Sequence, residues 1–211
     1  MRAWLLAGVA LLSACGGKPR APEWQMNAHD ALERYEQAYL TGATAAANAE
    51  FTRARQQLAA TGQVALVARA ELTRCALQVA SLAFEACAGF EALRADAPAA
   101  ERAYADYVAG VLPAASAALL PGQHQAVAAG AAEVARIEDP LSRLVAAGVL
   151  LRSGRASPQV LQQAVDTASV QGWRRPLLAW LGAQALRAEQ AGALDEAQRL
   201  RRRMALAAGD R

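Results

Sequence analysis

The stretch NAHDALERYEQAYLTGATAAANAEFTRARQQLAA, residues 27–60, indicates how the chain folds. Asn27 can cap a helix that runs through Tyr39 and ends at Gly42, because glycine readily adopts the left-handed conformation that closes a helix. A second helix is predicted from Thr44 to about residue 60. Helices joined by so few residues pack antiparallel, so the stretch predicts a helical hairpin.

Glycine and proline divide the rest of the chain into further helical segments. We place these at residues 64–82, 85–95, 98–111, 123–137, 140–152, 158–170, 176–190 and 193–207. The residues that favour helices (Ala, Leu, Arg, Gln and Glu) dominate the composition, and Ile137 is the only isoleucine. The apolar residues 114–120 are too few to cross a bilayer and are expected to be a buried connection. The sequence therefore predicts an all-α fold.

Two helix starts are marked most clearly. Asp139 precedes Pro140, and Ser157 precedes Pro158. A capping side chain before a proline favours a helix start, because proline lacks the N–H that the first turn would leave unpaired.

The two end hairpins carry a spacing that resembles the tetratricopeptide repeat. That family places a glycine at the turn, a small residue where the helices cross, and a large and a small residue further along. The N-terminal hairpin matches with Gly42, Ala47, Phe51 and Ala54. The C-terminal hairpin matches with Gly192 and Ala197, although the family's Trp and Leu-Gly pair are missing from the first helix of both. The resemblance implies antiparallel hairpins in an irregular tetratricopeptide-like α-solenoid, and a compact helical bundle stays open as the alternative.

The N-terminal residues are predicted to be an export signal. Arg2 is followed by an apolar run from Ala3 to Leu12, about the length of a secretory signal core and too short to span a bilayer. The run ends in Leu-Ser-Ala-Cys at residues 12–15, which resembles the lipobox of bacterial lipoproteins. The resemblance implies that residues 1–14 are a signal peptide and that Cys15 is acylated and binds membrane lipid.

The same resemblance implies a location. Position 16 is glycine, and not the aspartate that the family associates with retention in the inner membrane, which favours the outer membrane facing the periplasm. Residues 15–26 are expected to be the lipidated N-terminus and a flexible tether, since they are rich in Gly and Pro. Residues 27–211 would then form a single all-helical domain. The alternative is an ordinary cleaved signal in which Cys15 has no special role.

Cys75 and Cys87 are expected to form a disulfide. An even pair of cysteines in an oxidising compartment favours a bond. On one continuous helix their Cα atoms would be about 18 Å apart, whereas a disulfide needs them within about 7 Å. A bond therefore requires a chain reversal, which we place around residues 81–85. Two buried free thiols are the alternative.

The sequence offers no recognisable catalytic or metal-binding motif. Its two histidines, His29 and His124, have no accompanying ligand set or nucleophile, although His29 and Glu33 could share a helix face. We therefore expect no enzyme activity, no metal and no cofactor. With 22 basic and 19 acidic residues, the formal charge of +3 does not indicate a nucleic-acid partner.

Two sets of residues are candidates for binding a partner, because Trp and Arg are the side chains that dominate protein interfaces. The first set is Trp173, Arg174 and Arg175, before the helix that contains Trp180. The second is the arginine-rich face of the last helix, with Arg201 and Arg202. The alternative places Trp180 in the core, folds Trp173 over the helix end and leaves the arginines in solvent.

These expectations together predict a non-catalytic helical scaffold, held at a membrane by lipid, that binds another envelope protein. Two alternatives stay open. One is a structural envelope lipoprotein without a partner groove, and the other is a hydrolase that acts on the cell wall.

Overall fold

The computed structural model describes residues 21–209, which form ten α-helices and one 3₁₀ helix and contain no strand. In chain order these are α1 (Glu23–Thr41), α2 (Thr44–Ala59), α3 (Val64–Ala80), α4 (Ala88–Glu91), α5 (Ala99–Val108), the 3₁₀ helix (Ala114–Leu119), α6 (Gly122–Ala128), α7 (Pro140–Arg152), α8 (Pro158–Val170), α9 (Arg174–Gln190) and α10 (Leu194–Ala208). The predicted all-α fold is confirmed. The predicted signal peptide, its lipobox and Cys15 lie outside the described residues.

The helical domain begins earlier than the sequence predicted. Helix α1 starts at Glu23 and not at Asn27, because the carbonyl of Pro22 accepts hydrogen bonds from the backbone N–H groups of Gln25 and Met26. Trp24 is consequently a helix residue, and its half-buried ring packs against the N-terminal part of the core. The first residues of α1 therefore lie within the segment predicted to be a tether, residues 15–26.

The middle of the chain is less helical than predicted. Helix α4 has a single turn, and α6 ends at Ala128, so most of the segment predicted at 123–137 is irregular. Gly130, with a φ of 120°, departs from helical geometry there. Val134 and Ile137 are 0% and 6% exposed and hold this irregular stretch on the core.

The connection at 114–120 also differs from the prediction of a buried segment. It forms the 3₁₀ helix and buries Ala117 and Leu120, but Leu119 is 48% exposed. A 3₁₀ helix places side chains in three rows, so a short one lying on a surface buries one row and exposes the others.

The two predicted helix caps are confirmed. The backbone N–H of Ser142 donates to Oδ2 of Asp139 over 2.7 Å at the start of α7. The N–H of Val160 donates to Oγ of Ser157 over 3.3 Å at the start of α8.

Both end hairpins form with the turn residues that the sequence indicated. Gly42 and Gly192 have φ angles of 89° and 73°, values that favour glycine. Ala47 and Ala197, which follow them at the same spacing, are 1% and 2% exposed where the helices cross. Small side chains at these crossings allow α1 to pack against α2, and α9 against α10.

Contacts between helices far apart in sequence complete the fold. Helices α7, α8, α9 and α10 pack each on the next, as the units of a solenoid do. In addition α3 packs against α7, and α1 against α9, which is the packing expected of a bundle. Both architectures that the sequence left open are compatible with this arrangement.

Helices α3 and α7 approach so closely that Gly148 has no room for a side chain. A Cβ at position 148 would overlap the carbonyl oxygen of Val79 and lie 2.8 Å from Cγ1 of the Val79 side chain. We expect Gly148→Ala to lower the free energy of unfolding by about 2 kcal/mol, measured by urea unfolding with circular dichroism.

Another helical glycine provides the matched control. At Gly182 the nearest atom to an added Cβ is the flexible Met204 Cε, 3.5 Å away. Gly182→Ala is expected to be neutral or to stabilise by roughly 0.5 kcal/mol, since alanine favours a helix. Equal unfolding midpoints for the two variants would contradict the close approach.

The cysteine pair lies as predicted. The Cα atoms of Cys75 and Cys87 are 5.8 Å apart and their sulfur atoms are at bonding distance. Helix α3 ends at Ala80, and Leu82 follows with a φ of 58°, the only positive φ of a non-glycine residue within 21–209. The chain reverses at this turn, which confirms the position predicted for it.

No helix in the described part of the chain combines the length and the apolar character needed to cross a bilayer.

Candidate functional site

A cleft of about 670 Å³ opens between α1, α3, α5, α7 and the segment that joins the 3₁₀ helix to α6. The volume is within the range of about 300–1,000 Å³ typical of ligand sites. Its floor is apolar and buried, formed by Leu72, Ala76, Leu120 and Val145. Its polar side chains come from the four helices α1, α3, α5 and α7: Glu36, Arg69, Thr73, Glu101, Tyr104 and Ser142. We call this site the central cleft.

The carboxylate of Glu101 is the most unusual group in the central cleft. Its side chain is only 7% exposed, and Oε1 accepts a 2.6 Å hydrogen bond from Nε of Arg69, which is 65% exposed. Oε2 is buried and has no hydrogen-bond partner among the described residues. Burying a carboxylate oxygen without a hydrogen-bond donor costs free energy. Glu101 can therefore accept a further hydrogen bond, and accepting it would recover part of that cost.

The surroundings of the cleft are acidic. Burial raises the pKa of Glu36, and the negative charges of Asp139 and Glu33 raise it further. Asp139 lies just before α7, where it caps the helix. Carboxylates on α1, α5 and the start of α7 therefore lie close to the central cleft. Within residues 21–209, Arg69 is the only basic residue that lines it.

An aromatic cluster lies behind the cleft wall. The rings of Tyr104 and Tyr107 are 5.7 Å and 5.0 Å from that of His124, and the Tyr107 hydroxyl is 3.2 Å from Nδ1 of His124. His124 is 2% exposed, and this burial lowers its pKa from 6.5 to about 4, with Asp139 opposing part of the change. His124 is therefore a neutral core residue that fixes α6 against α5.

The buried His124 makes stability depend on pH. Between pH 6.5 and about 4 the unfolded chain binds a proton that the folded chain does not, so stability falls as the pH falls. We expect His124 to lower the free energy of unfolding by about 3 kcal/mol between pH 6.5 and about 4. In His124→Asn the free energy of unfolding should therefore fall less steeply with pH than in the wild type. His29→Gln is the control, because His29 is 71% exposed beside Glu33. Parallel profiles for the wild type and His124→Asn would refute the assignment.

The first predicted partner-binding set is engaged within the domain. Nε of Arg175 donates to the carbonyl of Tyr39 over 2.6 Å, Nη2 donates to Oγ1 of Thr44 over 2.8 Å, and the guanidinium lies 4.3 Å from the Tyr39 ring centroid. The guanidinium of Arg174 lies beside Gly42, and the half-buried Trp173 packs against the core. These residues join α9 to the first hairpin.

The second predicted set lies on the exposed face of α10. Arg201 pairs with Glu189 through Nε at 2.9 Å, and Arg199 pairs with Glu196. Arg202 is exposed, as is Arg203. Exposed pairs such as these contribute little to stability. None of the five residues predicted to bind a partner lines the central cleft.

The cleft was not predicted from the sequence, although α5 carries a signal for it. Glu101 is followed at i+4 and i+7 by Ala105 and Val108, all buried, so a carboxylate occupies the apolar face of an amphipathic helix. A charge in that position is unusual and indicates a pairing or a site.

Within residues 21–209 no three His, Cys, Asp or Glu side chains are grouped closely enough to hold a metal ion. Comparisons of the chain with protein-family models, with curated proteins and with solved structures find no significant match.

Proposed function

We propose that this chain is a membrane-tethered lipoprotein of the cell envelope whose helical domain is a non-catalytic binding module for another envelope protein. The observation that carries the proposal is the central cleft, with an apolar floor and a buried carboxylate that lacks a donor. Side chains placed on packed helices are positioned more precisely than side chains on loops, which favours the selection of a partner. Its presence favours a binding module over a structural lipoprotein without a groove.

The amino-acid sequence supports the proposed lipid anchor. The run from Ala3 to Leu12 and the lipobox ending at Cys15 are the basis for export and acylation, and Gly16 favours the outer membrane facing the periplasm. The disulfide geometry of Cys75 and Cys87 suits an oxidising compartment such as this. Two or more acyl chains give stable anchoring, so no spanning helix is required.

Removing the acylated thiol should release the protein from membranes. We expect Cys15→Ser to move most of the chain from the membrane pellet to the soluble fraction, because it cannot accept the diacylglyceryl group. Cell fractionation with immunoblotting measures this, with the wild type as the control. Retention of Cys15→Ser in a pellet washed with high salt would count against lipid anchoring.

Site-specific photo-cross-linking in cells tests the binding role of the cleft. A photoreactive amino acid at Leu119, a cleft residue that is 48% exposed, is expected to capture one defined protein. Val170 and Leu206, which are 82% and 81% exposed outside the cleft, are control positions, and Leu206 also probes the arginine-rich face of α10. Ala100 is exposed at the margin of the cleft, so the larger side chain in Ala100→Trp should close the cleft and abolish capture from Leu119.

Equal capture from all three positions, or capture that persists in Ala100→Trp, would refute the assignment of the cleft. Capture from Leu206 alone would place the partner on α10.

A further inference from the structure

The structure holds two buried carboxylates that have a similar environment. Glu71 and Glu101 are 3% and 7% exposed, each accepts a hydrogen bond at Oε1 from an arginine Nε, and each leaves Oε2 without a hydrogen-bond donor among residues 21–209. Oε2 of Glu71 also forms an ion pair with Nε of Arg74 at 3.8 Å. Arg55 is the donor to Glu71, and Arg69 is the donor to Glu101.

Their surroundings differ. The carboxylate of Glu71 is packed against Gly89, where an added Cβ would overlap both of its oxygens, and Glu71 does not line the central cleft. Glu101 does line it, next to the apolar floor. A donor brought by a ligand could therefore reach the region of Glu101, while the space beside Glu71 is already filled.

The charges of the cleft select the kind of donor. Glu36 and Glu101 line it with one arginine, Arg69, which already pairs with Glu101, and Asp139 adds negative charge nearby. A cation would satisfy the unused acceptor and reduce the repulsion among the carboxylates, whereas an anion would increase it. Because the floor is formed by leucine, alanine and valine, a ligand that also has apolar groups next to its cation would bury them there.

We infer that the central cleft takes a basic side chain, lysine or arginine, from an apolar segment of the partner protein, with the Glu101 carboxylate accepting its hydrogen bond. The inference rests on the proposed function, because it takes the occupant to be a protein segment. The apolar floor covers the side chains on either side of the cation, and Glu36 supplies the second negative charge at the rim.

Binding of short capped peptides to the full chain carrying Cys15→Ser tests the inference. The probes are acetyl-Ala-Leu-Lys-Leu-Ala-amide and the same peptide with Gln or Glu at its centre, titrated by calorimetry or by NMR. We expect the lysine peptide to bind roughly tenfold more tightly than the glutamine peptide, as hydrogen bonds to charged groups typically give, and the glutamate peptide to bind most weakly.

Glu101→Gln should reduce the lysine preference to about twofold or less, since it keeps the shape but removes the charge. Glu71→Gln is the matched control, a buried carboxylate outside the cleft, and should keep the full preference. Ala100→Trp should weaken all three peptides, and thermal melts establish that every variant folds.

An absence of binding, an absence of preference, or a preference that survives Glu101→Gln would each overturn the inference. If the peptides fail while the Leu119 probe still captures a protein in cells, only this inference fails. If the peptides behave as expected and the probe captures nothing, the cation site stands and the proposed function fails.

Discussion

Replacing Trp180 with alanine is expected to lower the free energy of unfolding by about 4 kcal/mol. Trp180 is 0% exposed and fills the main core between α9 and α3. Its indole Nε1 donates a 2.9 Å hydrogen bond to the carbonyl of Ala80, the last residue of α3. The final carbonyls of a helix have no partner inside it, so the tryptophan also caps α3.

Two further variants separate packing from hydrogen bonding. Trp180→Phe keeps most of the volume but leaves the Ala80 carbonyl without its donor, so a loss of roughly 2 kcal/mol is expected. Leu186→Ala on the same helix is the control, because Leu186 is 56% exposed and should cost about 0.5 kcal/mol or less. Urea unfolding followed by circular dichroism gives all three values. A loss below about 1 kcal/mol for Trp180→Ala would contradict this packing.

Reduction of the Cys75–Cys87 bond is expected to lower the free energy of unfolding by about 3 kcal/mol on the chain-entropy model. The bond closes a short loop, with a sequence separation of 12, that contains the turn at Leu82. Without it the unfolded chain gains conformations that the bond excludes, while the folded contacts of Cys75 in the core persist.

The comparison needs no substitution, since the oxidised and reduced wild-type protein have the same amino-acid sequence. The control is Cys75→Ala with Cys87→Ala, in which reductant should leave the unfolding curve unchanged. Alkylation of both thiols in the unreduced protein, or identical curves with and without reductant, would refute the bond.

The fold was predictable where local signals agree with the packing. In the end hairpins, Gly42 and Gly192 end helices and a small alanine follows at each crossing, so the local sequence decides the structure. The middle of the chain was not predictable in this way. Residues 129–139 have a helix-favouring composition, yet Val134 and Ile137 reach the core from an irregular segment because tertiary packing outweighs propensity.

The site was harder to predict than the fold. Trp173 and Arg175 have the composition of a binding surface, but they meet α1 and α2 through contacts that span more than a hundred residues, which no local pattern reveals. The cleft has no such composition in any one stretch of sequence, because the residues that line it come from five separate elements. Only Glu101, a carboxylate in an apolar stripe, carries a signal that sequence alone could have used.

The proposal of a lipid tether is tested most directly by the mass of the N-terminal peptide of the chain purified from membranes. We expect that peptide to begin at Cys15 and to carry a diacylglyceryl group on its sulfur, with residues 1–14 absent. A peptide that retains residues 1–14, or one in which Cys15 is a free thiol, would contradict the account.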